Sequence, residues 1–266
     1  MPQFLPVSSA ANARVKEVRA LLRSRKAAKP GSPFAGEGMQ LATRALQSPV
    51  VVADVVLSQD VADFVPTDFA DALDAKGADC LVVPGSLFEK MSRRSMSSGV
   101  LFVATQPAAD LGDLPDRVPV LVLDRAGNPR NIGAIARTCE AAGLGGLILT
   151  GHHADPFSYE SLRASMGSVF GIPIVSCTDD ELIAWARGSG RTLIGTSGAA
   201  EQDLWTAELP SSSAVLFGNE GEGLSQSLVD ACDELIKIPF NQAVDSLNLG
   251  AAAAVVSFEY RRRNPF

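Results

Sequence analysis

Three short stretches of this chain gather the residues with chemistry to offer. The first, Leu123-Asp124-Arg125-Ala126-Gly127-Asn128-Pro129-Arg130-Asn131-Ile132-Gly133, joins an apolar run to a helical pattern. Ile132, Ile135, Ala136 and Cys139 give that helix its apolar face. Asn131 stands where a helix cap belongs. Arg137 lies off the apolar face, about a turn and a half inside the helix. The second stretch runs from Phe217 to Ser225 and carries Gly218, Gly221 and Gly223. Such glycines let a ligand approach the backbone closely. Glu220 and Glu222 make the loop anionic, which disfavours a phosphate and suits a neutral or cationic ligand. The third runs from Ile238 to Gly250 and again leads from an apolar run into a helix. Ser246 is placed to be its N-cap. Capping at Ser246 leaves Asn248 unexplained, since asparagine is a poor helix former.

Each loop alone has an ordinary structural explanation. All three are strand-to-helix turns, and such turns converge on one edge of an α/β sheet, where ligands bind. From residue 118 short apolar strands alternate with helices. The strands are Val120–Leu123, Gly146–Leu149, Ile172–Val175, Thr192–Thr196, Ala214–Phe217 and Leu235–Ile238. The helices lie near Ile132–Ala142, Tyr159–Ser165, Asp179–Ser189, Ser225–Cys232 and Leu247–Arg262. Nearly continuous apolar strands between helices mean a mostly parallel sheet with helices on both faces.

The first hundred residues read as a separate small α/β unit. Helices are expected at Ser8–Lys29, Glu37–Gln47, Phe69–Lys76 and Leu87–Ser92, with strands at Val50–Ser58, Asp79–Val83 and Gly99–Ala104. Gln106 to Pro119 is rich in Pro and Asp and reads as a linker. The expected division is residues 1–106, a linker over 107–117, and a second domain over 118–266.

The net charge of −7 argues against a nucleic-acid partner, but the charge is uneven. Arg14, Lys16, Arg19, Arg23, Arg25, Lys26 and Lys29 crowd one segment opposed only by Glu17, and Arg261 to Arg263 form a second cluster. A local basic face matters more to phosphate binding than the total. The alternative is the solvated side of a helix. Cys80, Cys139, Cys177 and Cys232 are widely spaced, which favours buried free thiols over a disulfide frame or a cysteine metal site. No run of about 18 apolar residues and no signal-peptide pattern is present, so the expectation is a cytoplasmic protein with no membrane span.

Asn131-Ile132-Gly133-Ala134-Ile135-Ala136-Arg137-Thr138 resembles the first motif of the SpoU (TrmH-type) RNA 2'-O-methyltransferases. Leu216 to Leu224 resembles the second, and Ile238-Pro239-Phe240 with Asp245-Ser246-Leu247-Asn248 the third. The likeness spans about Val118 to Arg263. Leu249-Gly250 departs from the valine and serine more usual there. Asn12-Ala13-Arg14-Val15-Lys16 and Gly36-Glu37-Gly38 look like the start of a ribosomal-protein-like RNA-binding domain, interrupted by Pro30-Gly31-Ser32-Pro33. The resemblance implies a trefoil knot in the C-terminal domain, a homodimer, and methyl transfer from S-adenosylmethionine to a ribose 2'-hydroxyl. It implies no metal.

Carried over from the family, the cofactor-binding residues are Thr196, Gly218, Ile238 and Leu247. The catalytic arginine is Arg137, with Asn131, Glu220, Ser246 and Asn248 around it. RNA contacts are expected at Arg14, Lys16, Arg19, Arg23, Arg25 and Lys26. The extra N-terminal unit favours ribosomal RNA, above all 23S, over transfer RNA, and a role in resistance to ribosome-targeting antibiotics is the alternative. Arginine is normally protonated, so Arg137 either has a strongly lowered pKa and is the base, or holds a phosphate and polarises the hydroxyl. His152 and His153 read as surface residues. A nicotinamide or flavin enzyme is disfavoured, because the loop reads Gly-x-x-Gly-x-Gly rather than Gly-x-Gly-x-x-Gly. A non-catalytic RNA-binding protein is disfavoured by the intact polar set.

Overall fold

The structure, a computed structural model, describes residues 4–24, 29–241 and 246–264. The chain forms two compact units. One comprises residues 1–108 and 157–170, the other residues 109–156 and 171–266.

The first unit runs β1 (Phe4–Pro6), α1 (Ala13–Arg23), β2 (Pro33–Glu37), α2 (Met39–Gln47), β3 (Val52–Ser58), α3 (Gln59–Ala62), α4 (Thr67–Lys76), β4 (Asp79–Val83), α5 (Gly85–Met91) and β5 (Val100–Thr105). Its sheet has the order β1-β4-β3-β5-β2, with β5 antiparallel to both neighbours. The segment read as the start of a helix, around Glu37, is a strand instead. Phe34 and Ala35 are buried and the whole of β2, Glu37 included, pairs with β5, so sheet pairing overrides local helical pattern. The helix expected from Ser8 begins only at Ala13, where the Asn12 side chain caps it by accepting from the Arg14 and Val15 amides.

In the second unit β6 (Val120–Asp124), α6 (Pro129–Ala142) and β7 (Leu147–Thr150) come first. Next in the chain is α7 (Tyr159–Ser165), which packs with the first unit. Phe157 and Phe170 flank it and lie against Phe34, with ring centroids 5.2 and 6.0 Å away. The second unit then continues through β8 (Ile174–Cys177), α8 (Asp179–Gly188), β9 (Thr192–Thr196), β10 (Gln202–Asp203), β11 (Ser213–Phe217), α9 (Gln226–Ala231), β12 (Glu234–Lys237) and α10 (Leu249–Arg263). Its sheet has the order β10-β12-β9-β11-β6-β7-β8, and every pairing is parallel. Val120, Val122, Ile148, Val175, Leu193, Ala214 and Leu216 form its core. A strand buried on both faces needs apolar residues at every position, which is the pattern read from the sequence.

The Pro-rich stretch packs on the second unit from Ala109 onward. Leu114 is buried, and the Arg191 guanidinium donates to the Pro115 and Val118 carbonyls at 2.5 and 2.8 Å. At the other end of the chain Glu259 on α10 is nearly buried. It accepts from Arg262 Nε and Nη2 at 2.8 Å and from Arg263 Nε at 2.7 Å. Hydrogen bonds from Arg262, then Arg263, pull its carboxyl from 4.5 to about 2. A depressed carboxylate contributes stability above its unfolded value and loses it as pH falls through the folded one. The stability advantage of wild type over Glu259→Gln is therefore expected to be full above pH 4.5 and to vanish as pH approaches 2, in urea titrations across that window.

Candidate active site

β12, β9, β11 and β6 are parallel neighbours, so the loops after them leave one edge of the sheet. Thr196 ends β9, Gly218 follows β11, and Ile238 follows β12. Register places Thr196 beside Ile236, and the Thr196 hydroxyl donates to the Leu216 carbonyl at 2.8 Å. Three of the four residues assigned to cofactor binding thus lie on adjacent strand ends. Leu247 lies just before α10 and is half-buried.

The Gly218 loop closes on itself. Asn219 and Gly223 exchange backbone hydrogen bonds at 3.0 and 2.9 Å. A Cβ on Gly218 would lie 2.1 Å from the Gly223 carbonyl carbon, and Gly223 has φ +72°. Both glycines are thus demanded by the loop's own fold, and space for an added side chain remains at Gly221. Of its two acids, Glu222 is paired with Arg125 Nη1 at 2.5 Å, so the loop is less anionic than its sequence suggests. Glu220 accepts a hydrogen bond from Asn131 Nδ2.

Asn128, not Asn131, caps α6. Its side chain accepts from the Arg130 amide at 3.0 Å, and Pro129 takes the first helical position. Asn131 sits one turn inside with only 8% exposure, which frees its amide to meet Glu220. The cap at α10 is likewise Asn248 rather than Ser246. Asn248 Oδ1 accepts from Gly250 and Ala251 at 2.9 and 3.4 Å, while Ser246 is exposed ahead of the helix. Capping therefore does account for Asn248. Asn248→Ser, which keeps a capping oxygen, is expected to hold stability within about 0.5 kcal/mol, whereas Asn248→Ala should lose about 1 kcal/mol in urea denaturation.

α10 packs against α6. At their starts a cavity of about 170 Å³ is lined by Ala126, Gly127, Asn128, Asn131, Asn219, Glu220 and Leu249. The structure brings Asn131 and Glu220 together there, with Asn248 adjacent in the chain. Arg137 stands apart from that pair, exposed on α6, and no hydrogen bond or ion pair engages it among the described residues. A model of the SpoU rRNA Methylase family matches residues 119–258, the segment that contains all three loops. The chain belongs to that family.

Known rRNA methyltransferases resemble the chain beyond this segment. The crystal structure of an AdoMet-bound rRNA methyltransferase from Sinorhizobium meliloti superimposes with a TM-score of 0.86 at 32% identity, covering 99% of each chain. The 23S rRNA (uridine(2479)-2'-O)-methyltransferase of Streptomyces viridochromogenes is 33% identical over 68% of this chain and 66% of its own length. The 23S rRNA (guanosine(2553)-2'-O)-methyltransferase RlmP of Bacillus subtilis is 28% identical over 96% of this chain and 98% of its own. The expected α/β class with a parallel sheet, the family, and the S-adenosylmethionine-dependent RNA 2'-O-methyltransferase activity all stand.

Of the basic residues assigned to RNA in this SpoU chain, Arg14 is already engaged, paired with Asp54 and with Asp79 at 3.0 Å. Lys16, Arg19 and Arg23 line a shallow groove on α1, and Arg23 also donates to the Lys90 carbonyl at 3.3 Å. Arg25 and Lys26 lie outside the described residues. His152 is exposed, and His153 Nδ1 lies 2.9 Å from the Ala154 carbonyl. All four cysteines are free. Cys80 and Cys139 are buried, whereas Cys177 and Cys232 are only partly so, which corrects the expectation for that pair. Among the described residues no group of three or more His, Cys, Asp or Glu is placed to hold a metal.

Sequence reasoning missed Asp124 and Arg125. Asp124 is 1% exposed and accepts from the Ser225 amide at 2.7 Å and from the Arg125 guanidinium. The available signal was a carboxylate ending an otherwise apolar strand. In a parallel sheet such a residue is buried and must find donors.

Proposed function

We propose that this protein transfers the methyl group of S-adenosylmethionine to a ribose 2'-hydroxyl of 23S ribosomal RNA, and does so as a cytoplasmic homodimer with a knotted C-terminal domain. The observation that carries the reading is the convergence of the three motif loops on one sheet edge, with Asn131 bonded to Glu220 at the cavity. The substrate follows the names of the relatives, which are 23S rRNA enzymes. The homodimer is supported by Ala251, Val255 and Phe258, spaced as one stripe along α10, with Phe258 52% exposed. No helix among the described residues is long and apolar enough to cross a membrane.

The residues present fit this cofactor. Three neighbouring strand ends offer backbone groups at Thr196, Gly218 and Ile238, where open α/β sheets receive ligands. When bound, S-adenosylmethionine supplies an electrophilic methyl group on a cationic sulfur. Thr196, Gly218, Ile238 and Leu247 would hold it. Glu220, held by the Asn131 amide, would present a preset carboxylate to the substrates at the cavity. Arg137 presents an exposed cation, suited to hold an RNA phosphate and polarise the neighbouring 2'-hydroxyl. Ser246 and Asn248 flank this region at the start of α10.

The test is transfer of labelled methyl from S-adenosylmethionine to purified ribosomal and transfer RNA, with the product nucleotide mapped by its resistance to alkaline cleavage. Label in 23S RNA at a 2'-O position is the expected result. Label in transfer RNA alone would move the substrate, and no label in either would overturn the activity.

A further inference from the structure

Arg125 holds φ +52°, a left-handed conformation that disfavours any side chain. A residue kept there must be over-determined by its surroundings. Here it is. Its Nε and Nη2 donate to the buried Asp124 carboxylate at 3.1–3.2 Å. Its Nη1 donates to Glu222 at 2.5 Å and its Nη2 to the Gly223 carbonyl at 2.9 Å. Its own carbonyl accepts from Asn219 Nδ2 at 3.0 Å, and its amide donates to the Thr150 carbonyl at 3.0 Å. Gly151 makes room, since a Cβ there would lie 2.7 Å from Arg125 Cγ. The chain thus accepts a strained backbone and a neighbouring glycine in order to grip both ends of the Asn219–Gly223 loop from β6.

We propose that Arg125 is a positioning residue for the cofactor. It clasps the Asn219–Gly223 loop onto the β6–α6 turn, so that the Gly218 backbone and Glu220 are set before the ligand arrives. The inference rests on the reading of the Gly218 loop as cofactor site. It is specific to arginine, because two carboxylates and one carbonyl are met by a planar fork that lysine lacks. Preset groups raise affinity by removing an ordering cost from binding.

The experiment compares wild type with Arg125→Gly, Arg125→Lys and Glu222→Gln in the full chain. It measures the Kd for S-adenosylmethionine by calorimetry, KM and kcat for both substrates, and Tm. Arg125→Gly removes the clasp but also relieves the left-handed strain, so Tm should fall by only about a few degrees. Both Arg125 variants are expected to raise the cofactor Kd roughly tenfold, with KM for RNA unchanged within about twofold. Glu222→Gln removes one exposed arm and should raise the Kd about twofold; it remains informative if the Arg125 variants do not fold. An unchanged cofactor Kd with a lowered Tm would leave a structural role only and overturn the proposal. So would Arg125→Lys binding like wild type, or a raised KM for RNA with cofactor affinity intact. Wild type that binds no S-adenosylmethionine would overturn the site reading itself, and the wild-type titration separates that failure from failure of the clasp.

Discussion

Arg137→Ala is expected to lower methyl transfer about 10²–10³-fold while leaving the Kd for S-adenosylmethionine within about twofold of wild type. The side chain is exposed on α6 and unengaged among the described residues, so its removal opens no cavity and strands no partner. A stability change beyond about 0.5 kcal/mol is not expected for such a position. Arg137→Lys then separates two roles. If the residue holds a phosphate as a simple cation, lysine should recover much of the rate. If a guanidinium fork bridges phosphate and hydroxyl, lysine should stay near alanine. Single-turnover rates with cofactor binding measured separately decide it. Near-wild-type transfer by a folded, cofactor-binding Arg137→Ala would remove Arg137 from the catalytic set.

The second large effect is expected at Gly218. A Cβ there would sit 2.1 Å from one backbone atom and 2.2 Å from the next, and backbone cannot swing aside as a side chain can. Gly218→Ala should therefore force the loop open and cost about 1–3 kcal/mol, as overpacking does elsewhere. The cost to cofactor binding should be larger than the cost to folding, because the displaced segment carries the proposed contact and Glu220 together. Gly221→Ala is the internal control. The nearest atom to its added Cβ is 3.6 Å away, so it should bind cofactor like wild type. Equal defects in the two variants would mean that loop flexibility, not close packing, governs the site.

The architecture was read correctly where the pattern was periodic and the burial two-sided. The strands β6, β7 and β11 were legible because they are apolar at nearly every position, and β9 and β12 by a shorter apolar centre, Leu193-Ile194 and Leu235-Ile236. β10 was not, since Gln202 and Asp203 carry no such signal and their strand exists only by pairing with β12. β2 was misread as helix at its end because its partner β5 is far away in sequence. α7 was placed correctly along the chain, yet its packing in the first unit depends on Phe34 meeting Phe157 and Phe170, a contact between residues more than a hundred positions apart.

The sequence by itself supplied the candidates for the site. Asn131, Glu220 and Asn248 stood out by residue type at strand-to-helix turns, while their assignment to a catalytic set, like the reaction, came from the motif resemblance. Tertiary structure alone decided what each does locally. Asn128 and Asn248 are the caps, because a cap is defined by which amides its oxygen reaches and not by its place in a polar run. Arg14 is bound to Asp54 and Asp79 instead of standing free, and Glu222 is bound to Arg125. The Asp124–Arg125 clasp was invisible for the same reason. It joins residues about a hundred positions apart, and nothing short of the folded sheet edge brings their charges into contact.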